Sequence, residues 1–156
     1  MKTEKDYEEL LKLLNKNKVK YCIVGAYAVA FYARPRYTKD IDILVEPTIE
    51  NGKRLIDALN EFGFSSLNLS ENDFCQKETI IQLGYEPVRV DIITSVQGCP
   101  FEKVWDNKVI GNYGDEEVFF MGLNELIECK QAANRMQDKA DVEILLDVKD
   151  SKELKK

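Results

Sequence analysis

Asp40 and Asp42 stand two residues apart in Asp40-Ile41-Asp42, and a third acid, Asp91, lies inside another apolar run, Arg89-Val90-Asp91-Ile92-Ile93. Side chains on an extended strand alternate between faces, so Asp40 and Asp42 share one face and both can reach one or two hard cations. Magnesium suits such a group: it takes a few carboxylates and completes its shell with waters and substrate phosphates. Two such ions can clamp the attacking and leaving oxygens of a phosphoryl or nucleotidyl transfer. The pair alone carries little weight, because a chain with 12 Asp in 156 residues contains an Asp-apolar-Asp triplet by chance about 0.4 times. Its surroundings must decide.

The first neighbour of interest is Val24-Gly25-Ala26, about fifteen residues upstream of Asp40. A short apolar run, Tyr21-Cys22-Ile23-Val24, ends at Gly25, and the small and apolar residues from Ala26 to Ala33 suit a buried helix. A glycine at a strand-to-helix turn lets backbone approach a ligand closely, and the amides of the following first turn attract anions. Lys130 follows Leu126 and Ile127 at helical spacing, which places its stem along an apolar stripe and its ammonium at the edge of a cleft, where phosphate is a fitting partner. Arg36 and Thr38 share the face of Asp40 and Asp42, and Arg89 that of Asp91; each arginine can neutralise the acids or steer phosphate. Asp138 reads as a helix cap and Arg135–Asp138 as a surface pair.

The elements that must position these residues follow from periodicity. Residues 3–16 form an amphipathic helix through Tyr7, Leu10, Leu11 and Leu14. Pro35 ends the helix after Gly25, and period two from Arg36 to Glu46 predicts a strand. Thr48 is an N-cap for a helix ending at Gly63, and 65–77 reads as a loop or partner-facing insertion. Thr79–Leu83 and Val88–Thr94 form a hairpin; Phe101–Trp105 is a short helix; Val109–Ile110 and Val118–Phe120 are short strands; the C-terminal third is helical. The expected architecture is α/β (α+β): a mixed, twisted sheet of about five strands, helices packed mainly on one face, and a short helical C-terminal segment. Residues 1–150 form one domain, with 151–156 a charged, frayed tail.

Gly25-Ala26, then Arg36-Tyr37-Thr38-Lys39-Asp40-Ile41-Asp42 running into Ile43-Leu44-Val45, resembles the signature of nucleotidyltransferases of the DNA polymerase beta-like superfamily. The nearest likeness is to small prokaryotic members: minimal nucleotidyltransferases and the nucleotidyltransferases of toxin–antitoxin pairs. The resemblance continues at Leu126–Lys130 and Arg135–Asp141 and spans roughly residues 21 to 145. It implies that Asp40, Asp42 and Asp91 are catalytic and hold the metal, two Mg2+ ions, and that Gly25, Ala26, Arg36, Thr38 and Lys130 bind a nucleoside triphosphate, with ATP the expected substrate. Its members usually carry Gly-Gly or Gly-Ser at the turn. Ala26 lacks the hydroxyl a serine would offer, which points to weakened or retuned triphosphate binding through amides alone.

Zero histidines exclude a Ser-His-Asp triad, a Cys-His pair and any His-ligated zinc or haem. Four dispersed cysteines without a C-x-x-C pair, and no secretory signal near Lys2-Thr3-Glu4-Lys5, fit reduced thiols and a cytoplasmic location, with Cys22 and Cys129 in the core. A net charge of −6 opposes binding to long nucleic acid or an anionic membrane. The expected activity is Mg-dependent transfer of a nucleoside monophosphate from a triphosphate to an acceptor hydroxyl on a small molecule, an RNA end or a protein side chain. The alternative is a non-catalytic member that binds nucleotide or a cognate partner protein, as a toxin–antitoxin component would; a structural adaptor would require all three acids to be coincidental.

Overall fold

The computed structural model describes residues 3–35, 38–86 and 88–154. Along the chain run α1 (Lys5–Lys16), β1 (Tyr21–Val24), α2 (Gly25–Tyr32), β2 (Asp40–Val45), α3 (Ile49–Phe62), β3 (Ile80–Leu83), β4 (Arg89–Ile93), α4 (Phe101–Asp106), β5 (Val109–Tyr113), β6 (Glu116–Phe120), α5 (Leu123–Ala133) and α6 (Met136–Leu154). The strands form one mixed sheet in the order β3-β4-β2-β1-β6-β5, six strands rather than the five expected. No helix among the described residues is long and apolar enough to cross a membrane.

The centre of the sheet is dry. All four residues of β1 are buried, and Ile41, Ile43, Leu44 and Val45 of β2 have no exposed surface. Strands covered on both faces read as continuous apolar runs, which is how Tyr21–Val24 reads. α1 lays Tyr7, Leu10, Leu11 and Leu14 into this core beside Leu55, Ala58 and Leu59 of α3. Thr48 caps α3 by accepting the Asn51 amide proton at 3.2 Å, and Gly63 closes it in a left-handed conformation, as the sequence predicts.

β2 begins at Asp40, not Arg36. Pairing sets the boundary: Asp40 is the first β2 residue with a partner, Arg89 on parallel β4, and Asp42 pairs with Val24 on antiparallel β1. Arg36 lies outside the described residues, and Thr38 precedes the strand. At the C-terminus the helical segment is long, not short. α6 runs for 19 residues to Leu154, past Asp150 where fraying was expected, and Lys152 sets its ammonium 5.2 Å from the Tyr32 ring centre.

The segment 65–77 also departs from expectation. It contains two 3-10 turns, Ser65–Leu67 and Glu71–Phe74, and the Phe74 side chain is fully buried. Asp73 accepts the Ser70 amide proton at 2.8 Å, and Thr94 donates its hydroxyl to the Gln76 carbonyl at 2.6 Å, tying the segment to the end of β4. α3 admits it closely because Gly52 has no side chain: a Cβ there would lie 2.8 Å from the Glu71 carbonyl oxygen. One aromatic residue among polar ones shows no period in sequence, yet its burial pins the whole segment. Phe74→Ala is expected to lower unfolding free energy by about 3–5 kcal/mol, the usual cost of emptying a buried phenylalanine site. A urea melt reads this; a midpoint unchanged from the parent would show that the segment is only loosely attached.

Candidate active site

The parallel register of β2 and β4 places Asp42 directly opposite Asp91, with Asp40 one step along the same face opposite Arg89. One carboxylate oxygen from each of Asp40, Asp42 and Asp91 lies within 4.8 Å of the others. β1, antiparallel to β2, brings Val24 opposite Asp42 and so delivers the Gly25 turn to the same spot. Gly25 has φ +67°, and a Cβ on it would overlap the Asp42 carboxylate, so this position demands glycine twice over, for conformation and for space. α2 starts at this turn with no side-chain cap, leaving its first amides available.

These groups line a cleft of about 590 Å³ whose far wall is α5 and the start of α6, including Cys129, Lys130 and Arg135. Cys129 packs partly buried against the core, as its apolar stretch suggested, and also lines the cleft. Ser95, Val96 and Gln97 of the loop after β4 complete the lining near Ile80. No residue type or period in the sequence marks these three; they reach the site because they continue the chain just beyond β4, the strand of Asp91.

Arg89 bridges the acids. Its Nη2 lies 2.9 Å from Asp40 Oδ2 and 3.2 Å from Asp91 Oδ2, while Nε donates to Asp91 Oδ1 at 2.9 Å. Tyr7 of α1 donates its hydroxyl to the Arg89 carbonyl at 2.8 Å, fixing the backbone beneath. Thr38 donates to the Asp40 carboxylate at 3.3 Å and to its carbonyl at 3.1 Å. Thr38 thus orients a site carboxylate, and neither it nor Ala26 is among the described residues lining the cleft.

Burial pushes the Asp42 carboxyl up to about 7; the charges of Asp40 and Asp91 add to the rise, and Lys130 and Arg89 oppose it. Asp91 is also raised, by burial first, although its hydrogen bonds from Arg89 pull the other way. Three hard oxygen donors held this close and short of compensating charge fit a divalent cation.

Lys130 is placed on the cleft wall, as its spacing suggested, but it is not free. Its ammonium lies 3.3 Å from Asp138 Oδ1 and 3.1 Å from Asp141 Oδ2, two carboxylates essentially without exposed surface. Asp138 does cap α6, accepting the Arg135 amide proton at 3.1 Å, but the pair with Arg135 is a surface pair on one side only: Arg135 is 77% exposed and Asp138 1%. Burial raises the Asp138 carboxyl, and Arg135 and Lys130 outweigh it to hold it below its ordinary range. Arg135 is the more accessible cation on this wall, a cleft role that its sequence spacing did not reveal.

No protein-family model matches the chain, and no curated protein matches it in sequence. Solved structures do match. A lincosamide antibiotic adenylyltransferase, solved with lincomycin bound, superposes with a TM-score of 0.60 at 19% identity, covering 94% of this chain and 98% of that one. An antigenic nucleotidyltransferase-like protein from Paracoccidioides brasiliensis superposes with a TM-score of 0.56 at 13% identity, over 92% of this chain and 74% of the other. The chain thus has the nucleotidyltransferase fold, a small mixed α/β form of it.

The raised Asp42 carboxyl has a definite effect on stability. Between its ordinary value of 3.8 and about 7 the folded chain keeps a proton that the unfolded chain has lost, so this group favours folding most below that window and its contribution is lost as pH rises through it. In chelator, Asp42→Asn should match the parent near pH 4 and melt higher by about 3–6 °C at pH 8. Parallel melting curves for the two proteins across that range would contradict the assigned environment.

Proposed function

We propose that this chain is a magnesium-dependent nucleotidyltransferase that moves a nucleoside monophosphate from a triphosphate, ATP being the first to test, to an acceptor hydroxyl. The observation that carries the reading is the convergence of Asp40, Asp42 and Asp91 within 4.8 Å beside the start of α2. Asp40, Asp42 and Asp91 would hold the metal, which when bound offsets phosphate charge and activates the attacking oxygen. The amides at Gly25 and Ala26 receive phosphate oxygens at the positive end of α2, with no Ser hydroxyl to help. Asp91, on β4 beside the edge strand β3, orients the acceptor hydroxyl and draws off its proton as it attacks.

Lys130 and Arg135 supply positive charge on the opposite wall. Asp138 and Asp141 hold the Lys130 ammonium in place at the cost of part of its attraction for phosphate. Arg36 belongs to the same reading as a phosphate-steering cation, on its sequence position alone. The acceptor enters from the part of the cleft lined by Ile80 and Ser95–Gln97. A small hydroxylated compound is the first acceptor to try, because one solved neighbour is an antibiotic adenylyltransferase. RNA ends and a partner protein follow.

The second reading, a nucleotide- or partner-binding member without turnover, is favoured by Ala26 and by the tethering of Lys130. A first measurement tests the site that both readings share, and a second separates them. Magnesium with ATP should raise the melting temperature of the parent and not of an Asp40→Asn, Asp42→Asn double variant; an equal rise in both would remove the site. Asp91→Asn should keep most nucleotide affinity while transfer of α-phosphate label to acceptor falls by about 10² or more. Tight binding by the parent with no label passed to small molecules, RNA or protein would establish the binding member instead.

A further inference from the structure

Arg89 engages carboxylate oxygens that a bound cation would use. Its guanidinium makes three hydrogen bonds to two of the three clustered acids, at 2.9, 2.9 and 3.2 Å, and the parallel pairing of Asp40 with Arg89 builds this contact into the sheet. A planar guanidinium that spans two carboxylates neutralises them and occupies oxygens that a metal would use. The same side chain has a third acid within reach. Nη1 lies 3.8 Å from Glu86 Oε1, at the turn between β3 and β4, and Glu86 is 49% exposed and also paired with Lys39 at 3.3 Å. Arg89 itself is partly exposed.

We propose that Arg89 is a displaceable internal counter-ion of the acidic site: it rests on Asp40 and Asp91 when no divalent cation is bound, and it transfers to Glu86 when one binds. This rests on the reading of Asp40, Asp42 and Asp91 as metal ligands and adds a control on it. The exchange involves no covalent step. A divalent cation takes the carboxylate oxygens, and the guanidinium trades two site acids for the acid at the turn. Metal affinity is then set below what three carboxylates alone would give, so a cation arriving without nucleotide is held weakly. Arg89 acts here through the acids and not on substrate, which makes it a positioning residue.

The test is a titration of the whole chain with Mn2+ alone, read as loss of the free-ion electron paramagnetic resonance signal, with no nucleotide present. Arg89→Gln should bind Mn2+ about tenfold more tightly than the parent, the scale on which one adjacent charge alters a carboxylate's affinity for a positive partner. Arg89→Lys, which keeps the charge and loses the fork, should fall between them. Glu86→Gln, a change at an exposed turn that leaves the fold intact, should weaken Mn2+ binding by about twofold to fourfold, because the displaced guanidinium loses its partner. Unchanged or weaker binding by Arg89→Gln, or no effect of Glu86→Gln in a parent that does bind, overturns the counter-ion role and leaves the metal site standing. Absence of Mn2+ binding in parent and Arg89→Gln alike overturns the metal site and this inference together.

Discussion

Like charges crowd at the middle of this fold. Three carboxylates within 4.8 Å repel one another, and they stand on strands that otherwise bury Ile41, Ile43, Val90 and Ile92, where that repulsion is poorly screened. The surroundings relieve it in two visible ways. Arg89 bridges Asp40 and Asp91, and burial with the neighbouring acids pushes the Asp42 carboxyl up to about 7, toward its neutral form. The sheet supports this unfavourable cluster through its apolar face, where Ile41, Ile43, Val90 and Ile92 alternate with the acids and anchor the same strands in the core. Storing unfavourable charge at a site held by a stable scaffold is how a protein prepares to bind an ion or a charged substrate.

A second ionic group faces the first across the cleft. Lys130 on α5 meets Asp138 and Asp141 on α6, and Arg135 meets Asp138 from the exposed side. Breaking a buried pair by removing one partner leaves an uncompensated charge, so these contacts hold α6 against α5 with more geometric force than their net stabilisation would suggest. The cleft is therefore bounded by two walls: the acid-bearing ends of the interior strands β2 and β4, and a helix pair whose cations are already partly engaged. Its charge is divided between the walls rather than spread evenly, which suits a ligand that brings metal to one side and phosphate to the other.

The connections explain why the acids meet at all. β1 runs antiparallel to β2, so the C-terminal end of β1, with Gly25, adjoins the N-terminal end of β2, with Asp40 and Asp42. β4 runs parallel to β2, so its N-terminal half, with Arg89 and Asp91, lies beside them. The crossover through α3 and the pinned 65–77 segment makes that parallel pairing possible, and Phe74 locks it down.

Much of this was legible in the residues. The strand, turn and helix around Gly25, the α3 cap at Thr48, the β3–β4 hairpin and the shared face of Asp40 and Asp42 all follow from local periods and turn chemistry, which act over a few residues and so are written in the sequence. What needed the tertiary structure were relations between distant segments. Register placed Asp91 opposite Asp42 and put Arg89 between two acids; packing turned Cys129 into the cleft, buried Phe74 in a stretch without period, and took up the Lys130 ammonium with Asp138 and Asp141. Residue types state which charges a chain carries. Only the fold decides which of them come within a few ångströms, because that distance is set by strand pairing and burial summed over the whole core.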